Sequence, residues 1–432
     1  MGWLRRNLNS TGFGGLVRNT TFLRLFSGRV VTDIGDTLYL VGAMWLIWEL
    51  TGSSFYTGLA AALLRLPGVF SVFIGPFVDR WQLRRILLST QIINAVGVLV
   101  VPLAAATGHL SVWLILLLIP TLQFVNSFVY PAQHAALPRI VEENRLTRAN
   151  SLFATSIRTV DMVADAVAGV LIAVVGAVAL FVVNSVTFAL AAVLFVGVTV
   201  PKAVNRKGNG NTEIGERNSN DAATEGYIAE LSEGVEYLRG SALTVLLFGI
   251  MVSNFAAVAL TAVFPAFADS LGGPAVYGLL LAATAAGSLV GAAGAFLVEE
   301  YPIGWVAIVS HFVSGSVLLA AVAVPGVRAT AVLLFASTVP TSTFAVLFFS
   351  MVQSAVDDAL LGRVTSTIGT VLSAMAPAGG LVGGVVADSV GSVTVLYGMG
   401  GVVAVVGLCF LLYPQLRALP SVTEADETTL GL

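Results

Sequence analysis

Apolar stretches of about twenty residues recur along this chain, and nothing else constrains its folding so strongly. A bilayer core of about 30 Å is crossed by roughly 20 helical residues, whereas a barrel strand needs only about 9–11. Inside that core, only helices and closed barrels satisfy their own backbone hydrogen bonds. Twelve helical spans are read at 24–50, 56–78, 86–106, 111–137, 148–174, 177–200, 241–268, 276–298, 304–324, 329–355, 364–388 and 391–413. Several exceed the minimum length and are expected to tilt. Composition agrees, with 57% hydrophobic and 10% charged residues and a mean hydropathy of +0.92, far from the balance of a water-soluble domain. The fold class expected is an all-α integral membrane protein.

Little else in the sequence offers chemistry. The first 23 residues carry Arg5, Arg6 and Arg18 but no apolar stretch with a small-residue cleavage site, so no removable leader is expected. The single cysteine, Cys409, falls in the last span and can build neither an intrachain disulfide nor a thiolate metal site. His109, His134 and His311 are scattered, and no nucleophile elbow, phosphate-binding glycine loop or H-E-x-x-H helix is present. No enzymatic activity, cofactor, metal or nucleic-acid partner is expected.

Orientation follows from Lys and Arg, which stay on the cytoplasmic side of span ends. With the N-terminus inside, the cytoplasmic loops hold Arg80, Arg84 and Arg85, then Arg139, Arg145 and Arg148, then Lys202, Arg206 and Lys207, and finally Arg363; outside stands Arg328 alone. An even span count puts both termini in the cytoplasm of a cell carrying this protein in its plasma membrane.

Residues 201–240 interrupt the pattern. Their first part, PKAVNRKGNGNTEIGERNSNDAATEG, is polar, and the rest spaces Ile228, Leu231, Val235 and Leu238 as on a surface helix. The segments expected are a cytoplasmic stretch 1–23, a six-helix bundle 24–200, a cytoplasmic linker with an amphipathic helix 201–240, a second six-helix bundle 241–413, and a tail 414–432. The bundles resemble each other. The stretch from Arg148, RANSLFATSIRTVDMVADAVAGVLIAVVG, aligns with that from Arg363, RVTSTIGTVLSAMAPAGGLVGGVVADSVG; another pairing sets Asp79 beside Glu299 and Trp81 beside Tyr301. Two related six-span halves joined by a linker are the architecture of parallel-repeat transporters, with substrate bound between the halves.

Between the second and third spans stands GPFVDRWQLRR. It resembles the G-x-L-A-D-R-x-G-R-R motif of the major facilitator superfamily: Gly75, Asp79, Arg80 and Arg84 match, Arg85 extends it, and Gln82 and Leu83 depart from it. TDIGDTLYL in the first span, ELTGSS after it and LLGRVTS opening the eleventh resemble the drug:proton antiporter branch of macrolide-efflux and siderophore-exporter type. Where that branch carries a Gly-Pro pair in the fifth span, this chain has Ala164 and Asp165, keeping Gly169. The resemblance covers residues 20–413 and implies the major facilitator fold, two pseudo-symmetric six-helix bundles working by alternating access.

The motif makes physical sense as a latch. A carboxylate is stabilised at a helix N-terminus by the dipole and the free N–H groups, so Asp79 is expected to sit against the start of the eleventh span near Gly362 and Arg363. That contact would close the cytoplasmic face and favour the outward-open state. The alternative is that the arginines are topology signals only.

Ionisable residues inside spans are costly and usually face a cavity or a partner. Arg29, Asp33 and Asp36 in the first span, and Arg158, Asp161 and Asp165 in the fifth, are spaced to share a helix face. Each triplet has one acid in excess. Either it is a structural ion network, the reading preferred for Arg29, Asp33 and Arg158, or the spare acid takes and releases protons, to which Asp36 and Asp165 are equally open. Gln123, Asn126, Ser127, Tyr130 and His134 form a polar stripe in the fourth span. The resemblance implies that the first, fourth, seventh and tenth spans line the substrate cavity, which would add Asn254, Thr261, Thr338, Thr341 and Ser342. Trp48 is read as an interfacial anchor. Glycines four apart in GSLVGAAG and GGLVGG allow close helix approach, which would serve homodimerisation or, as expected here, sliding contacts between the halves.

The function expected is proton-driven export of small hydrophobic or amphiphilic molecules by a monomer in the lipid bilayer. Alternatives are an importer or lipid-type flippase of the same fold, or a transport-dead scaffold or sensor, for which the degenerate VEEYPIGW of the second half gives some footing.

Overall fold

The computed structural model describes residues 18–69, 81–200 and 240–425, together with Leu16, Glu236 and Tyr237. Among them every regular element is helical: α1 (Thr20–Thr51), α2 (Ser54–Val69), α3 (Leu83–Val98), α4 (Val100–Ala106), α5 (Val112–Asn126), α6 (Val129–Ile140), α7 (Leu146–Val175) and α8 (Ala177–Val196), then α9 (Ala242–Leu271), α10 (Pro274–Ala293), α11 (Ile303–Ala323), α12 (Val327–Ala355), α13 (Asp358–Ala374), α14 (Ala376–Val390), α15 (Ser392–Leu412) and the short α16 (Pro414–Arg417). Ten of the described segments are long and apolar enough to cross a bilayer. The second and fifth predicted spans, outside those ten, correspond to α2, described up to Val69, and to α7, which carries Arg148, Arg158, Asp161 and Asp165. The predicted linker helix lies outside the described residues except for Glu236 and Tyr237, which are helical.

Local signals set the helix ends. Asn19 caps α1 by accepting from the Phe22 N–H at 3.0 Å, while its own amide donates to Ile140 O at 2.8 Å, so one side chain starts the helix and fastens it to α6. At the other end Gly52 takes φ 60° and its N–H returns to Trp48 O, a left-handed stop that glycine adopts freely. Three predicted spans are not continuous. The third breaks at Leu99, the fourth turns at Ser127 and Phe128, and the eleventh breaks at Met375, just before Pro377.

In the first half α1 packs on α7 and α8, and α3 on α8; in the second, α11 packs on α12 and α15, α10 on α12, and α9 on α14 and α15. The halves meet where α7 packs on α10 and where α2 packs on α14 and α9. Burial shows how lopsided this junction is. One apolar core takes residues from both halves, among them Met44, Ile47, Ala168, Ile172, Phe267, Tyr277 and Ala387. The other two cores each belong to a single half: Leu83, Ile86, Leu137 and Ala149 in the first, and Leu246, Phe348, Val364 and Leu416 in the second. These separate cores flank Arg84, Arg139, Arg148, Arg363 and Arg417. Among the described residues the halves therefore share a core at one end of the molecule and have separate cores at the arginine-rich end.

Candidate functional site: a central cavity and its closed end

Between the halves lies a cavity of ≈ 330 Å³ whose wall is largely apolar, with Leu40, Met44, Leu64 and Leu281, and into which Thr37, Asp161, Asp165, Thr261 and Tyr277 bring polar atoms. At Asp161 and Ala285 it adjoins a space of ≈ 540 Å³ that reaches Phe349, Ser350 and Gln353 near the C-terminal end of α12. A further space of ≈ 380 Å³ shares Ser288, Ser342, Ala345 and Phe349 with the latter and is lined by Asn254, Thr338 and Thr341. A hydrophobic wall with few polar groups suits a ligand that is mostly apolar, since each buried polar group left unmatched would cost binding free energy.

The acids occupy different settings. Arg29 holds Asp33 with both ends of its guanidinium, Nη2 to Oδ1 at 2.7 Å and Nε to Oδ2 at 3.2 Å, and Asp33 is only 6% exposed. Asp161 accepts from the Thr37 hydroxyl at 3.2 Å, tying α7 to α1 beside the cavity. Asp165, one turn further along α7, stands on the cavity wall itself. Asp36 accepts from Asn126 Nδ2 at 3.4 Å, and Asn126 in turn accepts from Asn94 Nδ2 at 2.5 Å. The first-span triplet thus serves two neighbourhoods rather than one. The Arg158 side chain lies outside the described residues.

Of the residues expected in the fourth-span stripe, Gln123 and Asn126 line a separate small pocket with Asp36, not the central cavity. Ser127 sits at the turn and donates to Phe124 O, and Tyr130 is 58% exposed, its ring 4.2 Å from that of His134. Gln123 and Asn126, still within α5, line the Asp36 pocket, and the turn after Asn126 sets Tyr130 and His134 on a separate helix, α6. Thr261 reaches the central cavity, and Asn254, Thr338, Thr341 and Ser342 surround the adjoining space. Of the motif residues, Arg84 and Arg85 are exposed at the start of α3, Gly362 is exposed and Arg363 half-buried on α13, while Gly75, Asp79 and Arg80 lie outside the described residues.

The closed end is built from contacts the spacing of residues did not signal. Asp388, at the end of α14, accepts from the Ser54 N–H at 2.6 Å and from the Ser53 hydroxyl, and so caps the first turn of α2 from the other half. Thr57 donates to Ala262 O at 2.6 Å, and Trp48 Nε1–H donates to Asp269 Oδ2 at 3.2 Å rather than simply anchoring at an interface. Glycines bring the backbones together: a Cβ on Gly169 would lie 2.6 Å from both Gly278 Cα and Pro274 O, and one on Gly58 would strike Gly380 O. The expectation for the predicted glycine runs needs correction. Gly287 and Gly291 seat α10 on Phe335 and Val339 of α12 within the same half, and Gly379 and Gly383 seat α14 on α9. Only Gly380 and Gly384 of those runs face the other half, because successive small residues on one helix point to different neighbours.

Further polar residues are the fully buried Gln91, which accepts from Thr32, Asn94, which donates to Asn126, and Asn184, which lines the Asp36 pocket, together with Asp388. A signal existed for the amides: polar side chains three apart in an apolar span are expensive unless they meet a partner.

The sequence matches the model of the transmembrane secretion effector family over residues 11–430. It is 26% identical over 411 residues to the uncharacterized MFS-type transporter YvqJ of Bacillus subtilis, covering 91% of this chain and 92% of that one. Macrolide efflux protein A of Streptococcus pyogenes is 26% identical over 381 residues, 86% of this chain and 90% of its own. The multidrug efflux pump Tap of Mycobacterium tuberculosis is 22% identical over 419 residues, 95% and 97%. Among solved structures, a bacterial homologue of the lysosomal transporter Spinster, inward-facing and occupied, superposes with a TM-score of 0.68 at 13% identity over 90% of this chain and 95% of that chain. The nucleoside transporter NupG, as a D323A mutant, gives 0.70 at 14% identity over 91% and 99%. With that fold, those spans and a family match running almost end to end, the chain belongs to the transmembrane secretion effector family of major facilitator transporters.

Proposed function

We propose that the protein exports small hydrophobic or amphiphilic molecules across the plasma membrane in exchange for protons, and that the structure is its inward-open state. The observation that carries this is the pairing of an apolar cavity bearing Asp161 and Asp165 with halves that share a core at one end and have separate cores at the other. By the positive-inside bias the parted, arginine-rich end faces the cytoplasm, so a molecule dissolved in the cytoplasm or inner leaflet reaches the cavity from there. The names of the efflux relatives support the direction. The cycle then needs the Asp388 contacts to break and the Asp79 motif to close the opposite face. Four acids within α1 and α7, with Arg29 engaged by Asp33, leave carboxylates suited to taking protons from outside and releasing them inside.

Everted vesicles carrying the protein test this directly. Energised vesicles should accumulate erythromycin or ethidium, and adding either compound should release protons from the lumen. An uncoupler should abolish accumulation. Accumulation that survives the uncoupler, or is driven by a sodium gradient alone, would overturn the proton-exchange reading; accumulation on the wrong side would overturn the direction.

A further inference from the structure

Behind α1, on the side away from the central cavity, Asp36, Tyr39, Gln123, Asn126 and Asn184 surround a pocket of ≈ 10 Å³. Leu40 touches both this pocket and the central cavity and stands between them. The volume suits about one water molecule and nothing larger. Two of its lining groups, Tyr39 OH and Asn184 Nδ2, are buried and make no hydrogen bond among the described residues. Just behind it, Gln91 Nε2 and Asn94 Oδ1 are likewise unpartnered, on side chains that are 0% exposed. Native proteins pair nearly all such groups, and an orphaned buried donor or acceptor costs about 1–3 kcal/mol. Asp36 has lone pairs to spare, since Asn126 is its only neighbour within hydrogen-bonding distance among the described residues.

We infer that this pocket binds one water molecule, held by the Asp36 carboxylate, the Tyr39 hydroxyl and the Asn184 amide, and that through it Asp36 exchanges protons out of reach of the substrate. A water there donates a hydrogen bond to the carboxylate, accepts one from the Asn184 amide and bonds the phenol, three partners of the kind a buried water needs. When the water carries an added proton, its O–H bond breaks as the Asp36 carboxyl O–H forms, which leaves neutral water and a neutral acid. A dehydrated metal cation fits less well, because Asn126 Oδ1 already accepts from Asn94 and Asn184 Oδ1 from Thr187, and the unpartnered group that Asn184 presents is an N–H donor. The charged groups around Asp36 are already engaged: Arg29 and Asp33 on α1 pair with each other, and Asp161 on α7 accepts from Thr37. Among the described residues, the polar side chains that α3, α5 and α8 bring to the pocket and its surroundings, Gln91, Asn94, Gln123, Asn126 and Asn184, are all neutral. The consequence is a division of labour between the acids. Asp161 and Asp165 lie on the cavity wall, where a bound molecule meets them. Asp36 sits where a water fits and a drug-sized molecule does not.

The role in exchange rests on the transport reading above, but the site can be tested without transport. Infrared difference spectra of the purified, reconstituted protein after a pH jump isolate the carboxyl band of Asp36 as the band lost in Asp36→Asn. Filling the pocket with Asn184→Leu should slow the appearance of that band about tenfold, the rate equivalent of one lost charged hydrogen bond. Asn184→Ala, which removes the amide but leaves room for a water, should slow it less than Asn184→Leu, and Ser185→Ala, whose hydroxyl bonds Ala95 O and does not line the pocket, should leave the rate close to that of the parent. Ethidium should perturb the band lost in Asp165→Asn and leave the Asp36 band in place. Equal rates in the parent and Asn184→Leu would overturn the water site, a shift of the Asp36 band by sodium would replace it with a cation site, and loss of the Asp36 band on ethidium binding would overturn the separation. Failure of vesicle transport with these spectra intact would count against the exporter reading alone.

Discussion

Replacing Asp388 should open the closed end. Its carboxylate bonds the Ser54 N–H and the Ser53 hydroxyl, which makes it a helix cap for α2 supplied by α14. Removing an N-cap side chain costs about 0.5–2 kcal/mol, typically about 1, and Asp388 is exposed, which holds the effect to the lower part of that range. Because the contact joins two halves that must separate, the cost falls on this conformation and not on the folded protein as a whole. About 1 kcal/mol shifts a two-state ratio about fivefold. Spin labels at Leu50 and Val390, which are 42% and 52% exposed beside the junction, read that ratio after Cys409→Ser removes the native thiol. Asp388→Ala should raise the long-distance population about fivefold relative to the short one, with Asp388→Asn in between because it keeps one acceptor. Ser389→Ala, whose hydroxyl bonds Val386 O of its own helix, should change nothing. Identical distance distributions for the parent and Asp388→Ala, or an equal shift with Ser389→Ala, would refute the reasoning.

Gly169→Ala sets a Cβ 2.6 Å from two backbone atoms of α10 and should disfavour the same conformation by about 1–3 kcal/mol, seen as faster labelling of a Met44→Cys probe by an impermeant thiol reagent applied from outside. Asp33→Asn strands the Arg29 guanidinium in a buried setting, and since breaking a buried pair costs about 3–5 kcal/mol, folded protein recovered in detergent should drop sharply; Asp33→Asn combined with Arg29→Gln should restore part of it. Asp165→Asn should weaken ethidium binding measured by fluorescence, because it alters the cavity wall. Cysteines placed in 201–240 should react with an impermeant reagent only after the membrane is opened, and labelling from outside would reverse the assigned orientation.

The helices were legible in the sequence because a bilayer imposes one rule on every span, a long apolar run. Thus 177–200 was read for Ala177–Val196, 329–355 for Val327–Ala355 and 391–413 for Ser392–Leu412. The interruptions were less legible. Pro102, Pro131 and Pro377 follow the breaks at Leu99, Ser127 and Met375 and each removes a helix N–H, but Pro120, Pro265 and Pro340 sit inside continuous helices, so proline alone does not say which helix breaks. The acids announced themselves by their cost in an apolar setting, yet their partners did not. Spacing put Asp33 and Asp36 on one face, but three residues on a helix turn a side chain by about 300°, a displacement of some 60°, enough here to give Asp33 to Arg29 and Asp36 to Asn126. The glycine runs were visible, and only packing assigned Gly380 to the other half and Gly383 to its own. Asp388 reads as a polar residue at a span end; its capping of α2 depends on a helix more than 300 residues away in the chain.

The two halves, though related in sequence, divide the chemistry unequally. Asp33, Asp36, Asp161 and Asp165 all belong to the first half, while the second half contributes Asn254, Thr338, Thr341 and Ser342 to the space next to the cavity. Several of those hydroxyls are already used: Thr338 donates toward Thr284 O at 3.0 Å and Thr341 toward Thr338 O at 3.3 Å. A hydroxyl whose proton is committed to a backbone carbonyl still offers lone pairs, so this wall presents acceptors more than donors. The carboxylates opposite are also acceptors when ionised. In the proposed cycle the site therefore asks its ligand for an apolar body with a few donors or a positive charge, and protonating the acids removes part of that attraction. In that proposed cycle a proton on Asp165 would compete with a cationic ligand held against it, which would couple the export of one to the import of the other without direct contact between ligand and Asp36.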